Sequence, residues 1–318
     1  MPKIRPKSRI LLTIYVFASQ RYYILMIIVT GGTGFIGSHL TPLIKKELKK
    51  EEIFYLNQPK FDLVTGKNLD KIPQNPKLVI HLAAATDTAK SDQRCNNIGT
   101  KNLIDSLSKI GPGTHFVFTS SQAVFSDRQG TDKPIDEKTK PATNDRYGKT
   151  KLEAEKILLE AAKKKKFKLT IIRLSTVWGE NPRKNSFLNF LRDLVDKNSL
   201  FSRLNWPGKV GLINVDDAAN FILKSASSNH QTLKIISIAA ENLTLAEIFK
   251  ILTESKGKKY NQIKIPGFIW SLAKILRPYM KYFEPILPAN IYNYFWRASI
   301  VVDSPLWCKI NTKGVKFN

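Results

Sequence analysis

The residues best suited to chemistry in this sequence are a tyrosine and a lysine four positions apart. Tyr147 and Lys151 open a stretch in which Leu152, Ala154, Ile157, Leu158 and Ala161 recur at helical spacing. The phenol and the ammonium therefore share one helix face, one turn apart. A nearby ammonium favours the phenolate and draws a tyrosine toward working pH. That makes a general acid/base able to move a hydroxyl proton during hydride transfer. Upstream, the apolar run Phe116-Val117-Phe118 ends in Thr119-Ser120-Ser121. In open α/β sheets ligands sit at the carboxyl ends of strands, where a serine can hydrogen-bond a reacting oxygen.

Elements that could carry these groups are legible around them. Met26-Ile27-Ile28-Val29-Thr30 is an apolar run that breaks at Gly31, Gly34 and Gly37, and a helical pattern from His39 to Lys50 follows. The run reads as a buried parallel strand. The glycines make a tight turn, let the backbone approach a pyrophosphate and let the helix pack closely, with the first-turn N–H groups facing the phosphate charge. A dinucleotide site is expected. Strand-like stretches at 26–30, 52–56, 78–82, 115–120 and 169–174 alternate with helical ones at 35–50, 92–110 and 145–166. This alternation predicts a parallel sheet with helices on both faces. Further on, 187–198 and 243–255 read as helices and 204–209 as a loop facing the cleft.

Together, in this order, the three signals resemble the extended short-chain dehydrogenase/reductase superfamily, in particular its NAD-dependent epimerase/dehydratase branch. The resemblance is strong from Met26 to about Gly179 and weaker to about residue 255. Its further marks are His81-Leu82-Ala83-Ala84-Ala85-Thr86, Asn96-Asn97-Ile98-Gly99-Thr100-Lys101-Asn102, Arg173-Leu174-Ser175-Thr176-Val177-Trp178-Gly179 and Asn214-Val215-Asp216-Asp217-Ala218-Ala219. The resemblance implies a catalytic triad of Ser121, Tyr147 and Lys151. Tyr147 would be the acid/base, Ser121 would position the substrate hydroxyl or carbonyl, and Lys151 would bind the nicotinamide ribose. It implies that Gly31, Thr33, Gly34 and Gly37, with the N–H groups of Phe35 and Ile36, hold the cofactor's pyrophosphate. Leu82, Ala83 and Ala84 would line the cofactor, and Asp62-Leu63 would lie beside its adenine. The implied fold is a doubly wound parallel sheet (Rossmann) with a smaller C-terminal substrate lobe: 26–180 for the dinucleotide, and 181–318 mainly for substrate with segments returning to the core.

The sequence departs from the family's pattern in places. The second strand ends in Asn57 rather than the carboxylate expected for the adenosine ribose. Asn57 can bond ribose hydroxyls and Lys60 could meet a 2′-phosphate, so the cofactor is NAD or NADP, NAD preferred. Gln122-Ala123 stands where sugar dehydratases of the family carry an Asp-Glu pair, which argues against dehydration. Thr86, Gln122, Asn181, Arg183 and Lys209 are substrate candidates. The expected activity is redox chemistry at a carbinol carbon, foremost that of a nucleotide-linked sugar, in an epimerase cycle. Alternatives are a net dehydrogenase or reductase of a sugar, sterol-like or other carbonyl substrate, and a non-catalytic cofactor-binding scaffold.

Composition frames these readings. The 318 residues carry 51 Lys+Arg against 26 Asp+Glu. The cations are mostly scattered lysines without an arginine-rich tract, so no nucleic-acid partner is expected. Cys95 and Cys308 make no disulfide framework, four scattered histidines make no readable metal site, and both facts fit a reducing cytoplasm. Residues 1–25, basic and then briefly apolar, are read as a leader outside the fold, with Met26 as the natural start, in preference to targeting. Residues 265–296 mix apolar and aromatic residues with Lys274, Arg277 and Lys281. They read either as a segment lying on a membrane surface or, the reading preferred, as helices packing over the substrate lobe. A homodimer through the helices at 92–110 and 145–166 is a further expectation by analogy.

Overall fold

Every second residue of the first strand faces the same way, and both ways are apolar. Ile27 and Val29 pack on one side and Ile28 on the other, all buried, as a strand covered on both faces requires. The computed structural model describes residues 26–49, 51–86, 92–128, 135–136, 138–143, 145–182, 186–228 and 232–276. The leader expected at 1–25, Arg183 and residues 277–296 lie outside the described residues.

Nine strands are described: β1 (Met26–Thr30), β2 (Glu52–Leu56), β3 (Leu78–His81), β4 (His115–Ser121), β5 (Lys168–Leu174), β6 (Thr176–Trp178), β7 (Lys209–Asn214), β8 (Leu233–Ile238) and β9 (Glu241–Thr244). The helices are α1 (Phe35–Glu47), α2 (Arg94–Ser106), α3 (Arg146–Lys165), α4 (Phe187–Asp196), α5 (Val215–Ser227), α6 (Leu245–Glu254) and α7 (Gly267–Leu276). Six strands form a wholly parallel sheet in the order β2-β1-β3-β4-β5-β8. One face packs Ile28, Val79, Phe116 and Phe118 against Leu103 of α2 and Leu158 of α3. The other packs Val29, Val117 and Ile172 against Leu40 of α1 and Ile222 of α5. Each such large apolar side chain contributes about 1.5–3 kcal/mol on leaving water. A small sheet, β6-β7-β9, lies beside this layer. Leu191 of α4, Leu212 of β7 and Phe249 of α6 share its core with Trp206.

The architecture is the doubly wound parallel sheet expected from the alternation, and its first five strands fall where they were read. Element ends differ by a few residues. The helix expected over 92–110 spans Arg94–Ser106. The helix expected over 243–255 starts at Leu245, because Thr244 and Glu247 form a capping box and the four residues before it are strand β9. Lys209, read as part of a cleft loop, begins β7. Strands β6 to β9 were not anticipated. Among the described residues no helix is long and apolar enough to cross a membrane.

The chain leaves β1 for β2 on one side and returns to β3 on the other. The carboxyl ends of β1 and β3 thus frame the crevice where the strand order reverses, the usual ligand position in such sheets.

Candidate active site

The loop after β1 can be built only with glycine at its ends. Gly31 has φ +69°, and a Cβ there would lie 2.7 Å from the Ala83 nitrogen. A Cβ on Gly37 would lie 2.1 Å from the Gly31 carbonyl oxygen, so α1 sits directly on the turn. Gly34 caps α1 in an extended conformation and, being glycine, brings no side chain to the first-turn N–H groups. Phe35 and Ile36 therefore open the helix with N–H groups directed at an anion's place. Thr33 is exposed in the same loop.

Beside this loop β2 ends at Leu56, and the next residue, Asn57, has a buried Oδ1 with no hydrogen-bond partner among the described residues. A lone buried acceptor is costly unless a ligand supplies the donor. Asp62 spends Oδ1 on the N–H groups of Val64 (2.8 Å) and Thr65 (3.3 Å). Leu63 is buried, and Asn102 Nδ2 donates to the carbonyls of Leu63 (2.8 Å) and Val64 (3.0 Å). Asp62 thus shapes a turn that α2 holds in place.

At the end of β3, Thr30 Oγ1 accepts the Ala83 N–H at 3.1 Å. His81 lies between two hydroxyls, with Thr30 Oγ1 2.6 Å from Nδ1 and Thr100 Oγ1 2.9 Å from Nε2. Thr100 donates to the Asn96 carbonyl, so the ring must donate from Nε2 and accept from Thr30 at Nδ1. Complete burial, helped by the charge of Lys151, holds the His81 pKa down to about 3, and the ring is neutral. Asn96 Oδ1 accepts from the Ala85 N–H, and its Nδ2 donates to the Ala85 carbonyl and to Thr150 Oγ1. The segment Leu82-Ala83-Ala84 is therefore pinned at both ends beside Gly31, and half-buried Thr86 follows it.

The start of α3 abuts the turn after β4. Asp145 caps the helix by accepting the Gly148 N–H at 2.7 Å. A Cβ on Gly148 would lie 2.3 Å from the Ala123 carbonyl oxygen, so glycine sets the approach of Tyr147's turn to Ser121-Gln122-Ala123. Ser121 Oγ accepts the Ala123 N–H at 3.2 Å. One turn on, Lys151 is 1 % exposed. Its Nζ donates to the Thr119 carbonyl at 2.9 Å and lies 4.7 Å from the centre of the Phe118 ring. Another turn on, Glu155 meets Ser120 and Arg173.

The structure thus brings Ser121, Tyr147 and Lys151 to one end of β4, on the same sheet edge as the glycine loop. Gln122 is buried, and its Nε2 donates to the Ile238 carbonyl at 3.2 Å; its amide ties β4 to β8. Asn181 is exposed in a left-handed turn, φ 54°, and Lys209 is exposed at the start of β7. Reading the sequence missed the parts played by Gly148, Asn96, Glu155 and Arg173. Asn96 and Arg173 lay in noted motifs, and Glu155 stands four residues after Lys151, but their partners are set by strand pairing. Among the described residues no group of three or more His, Cys, Asp or Glu side chains is placed to hold a metal ion.

Known proteins are similar to this chain in sequence and in fold. The chain is 24% identical over 306 residues to dTDP-L-rhamnose 4-epimerase of Burkholderia thailandensis, covering 74% of this chain and 83% of that one. It is 31% identical over 191 residues to UDP-glucose 4-epimerase uge1 of Schizosaccharomyces pombe, covering 49% of this chain and 52% of that one. The chain therefore spans about half the length of some relatives. The solved UDP-glucuronic acid 4-epimerase of Bacillus cereus, in complex with NAD, is similar with a TM-score of 0.62 at 20% identity, over 76% of this chain and 87% of that one. At that identity the likeness speaks to the fold. The family model described as the NAD dependent epimerase/dehydratase family matches residues 27–239, more than half of the chain, and the chain belongs to that family.

Proposed function

We propose that this protein is an NAD-dependent epimerase of a nucleoside-diphosphate sugar, with Ser121, Tyr147 and Lys151 as its proton relay. The observation that carries the reading is the packing of Gly148 against Ala123. It sets the turn of Tyr147 against that of Ser121 while Lys151 is buried against the same strand.

The residues present fit the cofactor. Gly31 and Gly37 let the turn close tightly against Ala83 and α1, where any Cβ would strike backbone, and α1 opens without a side-chain cap. Asn57 Oδ1 is a buried acceptor awaiting a donor, which suits a ribose hydroxyl. A 2′-phosphate brings acceptors only, so NAD fits better than NADP. When bound, NAD supplies the acceptor and later the donor of the hydride. Tyr147 takes the proton of the sugar hydroxyl as its carbon is oxidised, and returns it when the keto sugar presents its other face. Ser121 Oγ hydrogen-bonds the reacting oxygen. Lys151 favours the phenolate of Tyr147 and would hold the nicotinamide ribose. Buried Asn96 and neutral His81 keep the segment after β3 fixed beside the cofactor.

The specific sugar, substrate contacts by Thr86, Asn181, Arg183 and Lys209, and pairing of two copies through α2 and α3 belong to the same proposal. Ile98 of α2, 40 % exposed, suits such a contact. The test is incubation of the NAD-loaded protein with UDP-, dTDP- and GDP-sugars, followed by proton NMR of the sugar. The expected result is an epimer without net NADH, and none from Tyr147→Phe. Accumulating NADH with a keto product would mean a net dehydrogenase instead. No NAD binding at all would remove the catalytic reading, and NAD binding without turnover of any sugar would favour the cofactor-binding scaffold.

A further inference from the structure

Glu155 sits one turn beyond Lys151 on the buried side of α3, where a carboxylate and an ammonium four residues apart ordinarily attract each other. Its two oxygens are held from the opposite direction. Arg173 of β5 donates Nε to Oε1 at 3.0 Å and Nη2 to Oε2 at 2.7 Å, and Ser120 Oγ donates to Oε1 at 2.6 Å. The two side chains are 7 % and 2 % exposed. The Arg173 guanidinium also lies 5.0 Å from the centre of the Phe125 ring, in the segment that follows Ser121. Arg173 therefore touches the helix of Tyr147 and Lys151 and the segment beyond Ser121, and shares Glu155 with Ser120 of β4. A buried ion pair is a poor source of stability, because desolvation offsets most of the attraction and apolar residues of the same volume do as well. Stability alone does not account for it.

Resting on the reading of Tyr147 and Lys151 given above, we infer that Arg173 is a positioning residue whose charge cancels that of Glu155, so that Lys151 sets the electrostatic potential at Tyr147. Among the described residues, the titratable and charged groups around Lys151 are His81 of β3 and Cys95 of α2, both held neutral by burial, Asp62 and Asp92, whose charges reach Cys95 as that of Lys151 does, Arg173 of β5, and Asp145, Arg146, Lys149 and Glu155 of α3 and its cap. Asp145 is tied to the Gly148 N–H at the helix entrance and stays in every variant below. Asp62 and Asp92 also stay in every variant below. Glu155 is the acid on the buried side, so its compensation decides the balance. Eight residues separate Tyr147 from Glu155, about 12 Å along a helix. At an effective dielectric constant of about 20, an uncompensated charge at that distance moves a titration by about one pH unit.

The experiment is a pH titration of Tyr147 by NMR in the full chain labelled with ring-13C tyrosine, with and without saturating NAD. The Tyr147 signal is assigned by its loss in Tyr147→Phe. No turnover is needed, so an unidentified sugar does not matter. Arg173→Met is expected to raise the Tyr147 midpoint by about one pH unit. Arg173→Met combined with Glu155→Gln returns it to the parent value, Arg173→Lys leaves it close to the parent, and Glu155→Gln alone lowers it. An unmoved midpoint in Arg173→Met, or one that stays raised in the double variant, overturns the inference. If Arg173→Met does not fold, Glu155→Gln decides: a fall in the midpoint supports the inference and no movement overturns it. A parent Tyr147 that titrates like a free tyrosine, near 10, overturns the acid/base reading itself, a separate outcome from insensitivity to Arg173.

Discussion

Replacing Gly148 by alanine adds one methyl group at the tightest contact between the two halves of the proposed relay. The added Cβ would lie 2.3 Å from the Ala123 carbonyl oxygen, 2.3 Å from Thr143 Oγ1 and 2.9 Å from the Ala123 carbonyl carbon. Ordinary contact begins near 3.4 Å, so the start of α3 must retreat by about 1 Å. Two effects oppose each other. Alanine improves helix propensity over glycine by about 1 kcal/mol, and the helical backbone at this position accepts it. Overpacking against backbone costs about 1–3 kcal/mol, and here two of the three struck atoms belong to the backbone. The steric cost matches or exceeds the gain, for a net loss of up to about 2 kcal/mol and a thermal midpoint lowered by up to roughly 3 °C in a chain of this length. The functional effect is larger, because a displacement of about 1 Å between reacting groups costs about 10²-fold in rate. The glycine loop lies elsewhere, so NAD affinity should stay within about two-fold. The assay combines thermal unfolding, an NAD binding titration and turnover of the nucleotide sugar accepted by the parent. A Gly148→Ala protein as stable and as fast as the parent would refute the idea that this contact places Tyr147 against Ser121.

Other consequences are open to direct measurement. Gly37→Ala drives a Cβ to 2.1 Å from the Gly31 carbonyl, so isothermal titration should find NAD affinity reduced by at least about 10²-fold, the scale of a closely fitted site displaced; unchanged affinity would remove the loop from the cofactor site. Asn57→Leu deletes the buried acceptor and should weaken NAD binding about ten-fold, the worth of one hydrogen bond of about 1.4 kcal/mol. Asn96→Ala removes three hydrogen bonds that join α2, α3 and the segment after β3; about 3 kcal/mol of stability should go with them, read from denaturant unfolding. The His81 pKa is about 3 when folded against 6.5 unfolded, so the unfolded chain binds the extra proton between those values. Its neutral form therefore contributes full stability above pH 6.5, and this is lost as pH falls toward about 3. By pH 5 the loss is about 2 kcal/mol, and a His81→Gln variant should lose correspondingly less between pH 7.5 and 5.

The parts of the site that were legible in the sequence are those whose chemistry depends on short spacings. Gly34 and Gly37 answer to contacts within their own strand–turn–helix unit, and Gly31 to its positive φ and to Ala83 beyond β3. Tyr147 and Lys151 need only one helical turn. Strand β7 was hidden because Lys209-Val210-Gly211-Leu212 carries a glycine that reads as a break. Its cause is distant: a Cβ on Gly211 would lie 3.1 to 3.3 Å from Gln122, Ala239 and Ser175. Strand β9 is four residues long and leads straight into a helix cap, so its Leu243-Thr244-Leu245 pattern passes for helix. The clasp of Glu155 by Arg173 depends on which strands become neighbours, and local periodicity carries no record of that. Asn57 was legible as a departure, but only the fold reveals its oxygen as a buried acceptor with no partner among the described residues.

The central claim is that Tyr147 moves a hydroxyl proton while hydride passes to bound NAD. It is tested most directly by mixing NAD-loaded protein with the accepted nucleotide sugar and following absorbance at 340 nm in a stopped-flow instrument. The account predicts a transient rise in the parent that decays as the epimer forms. It predicts no rise in Tyr147→Phe, although that variant still binds NAD. A Tyr147→Phe protein that reduces its cofactor as fast as the parent would contradict the account.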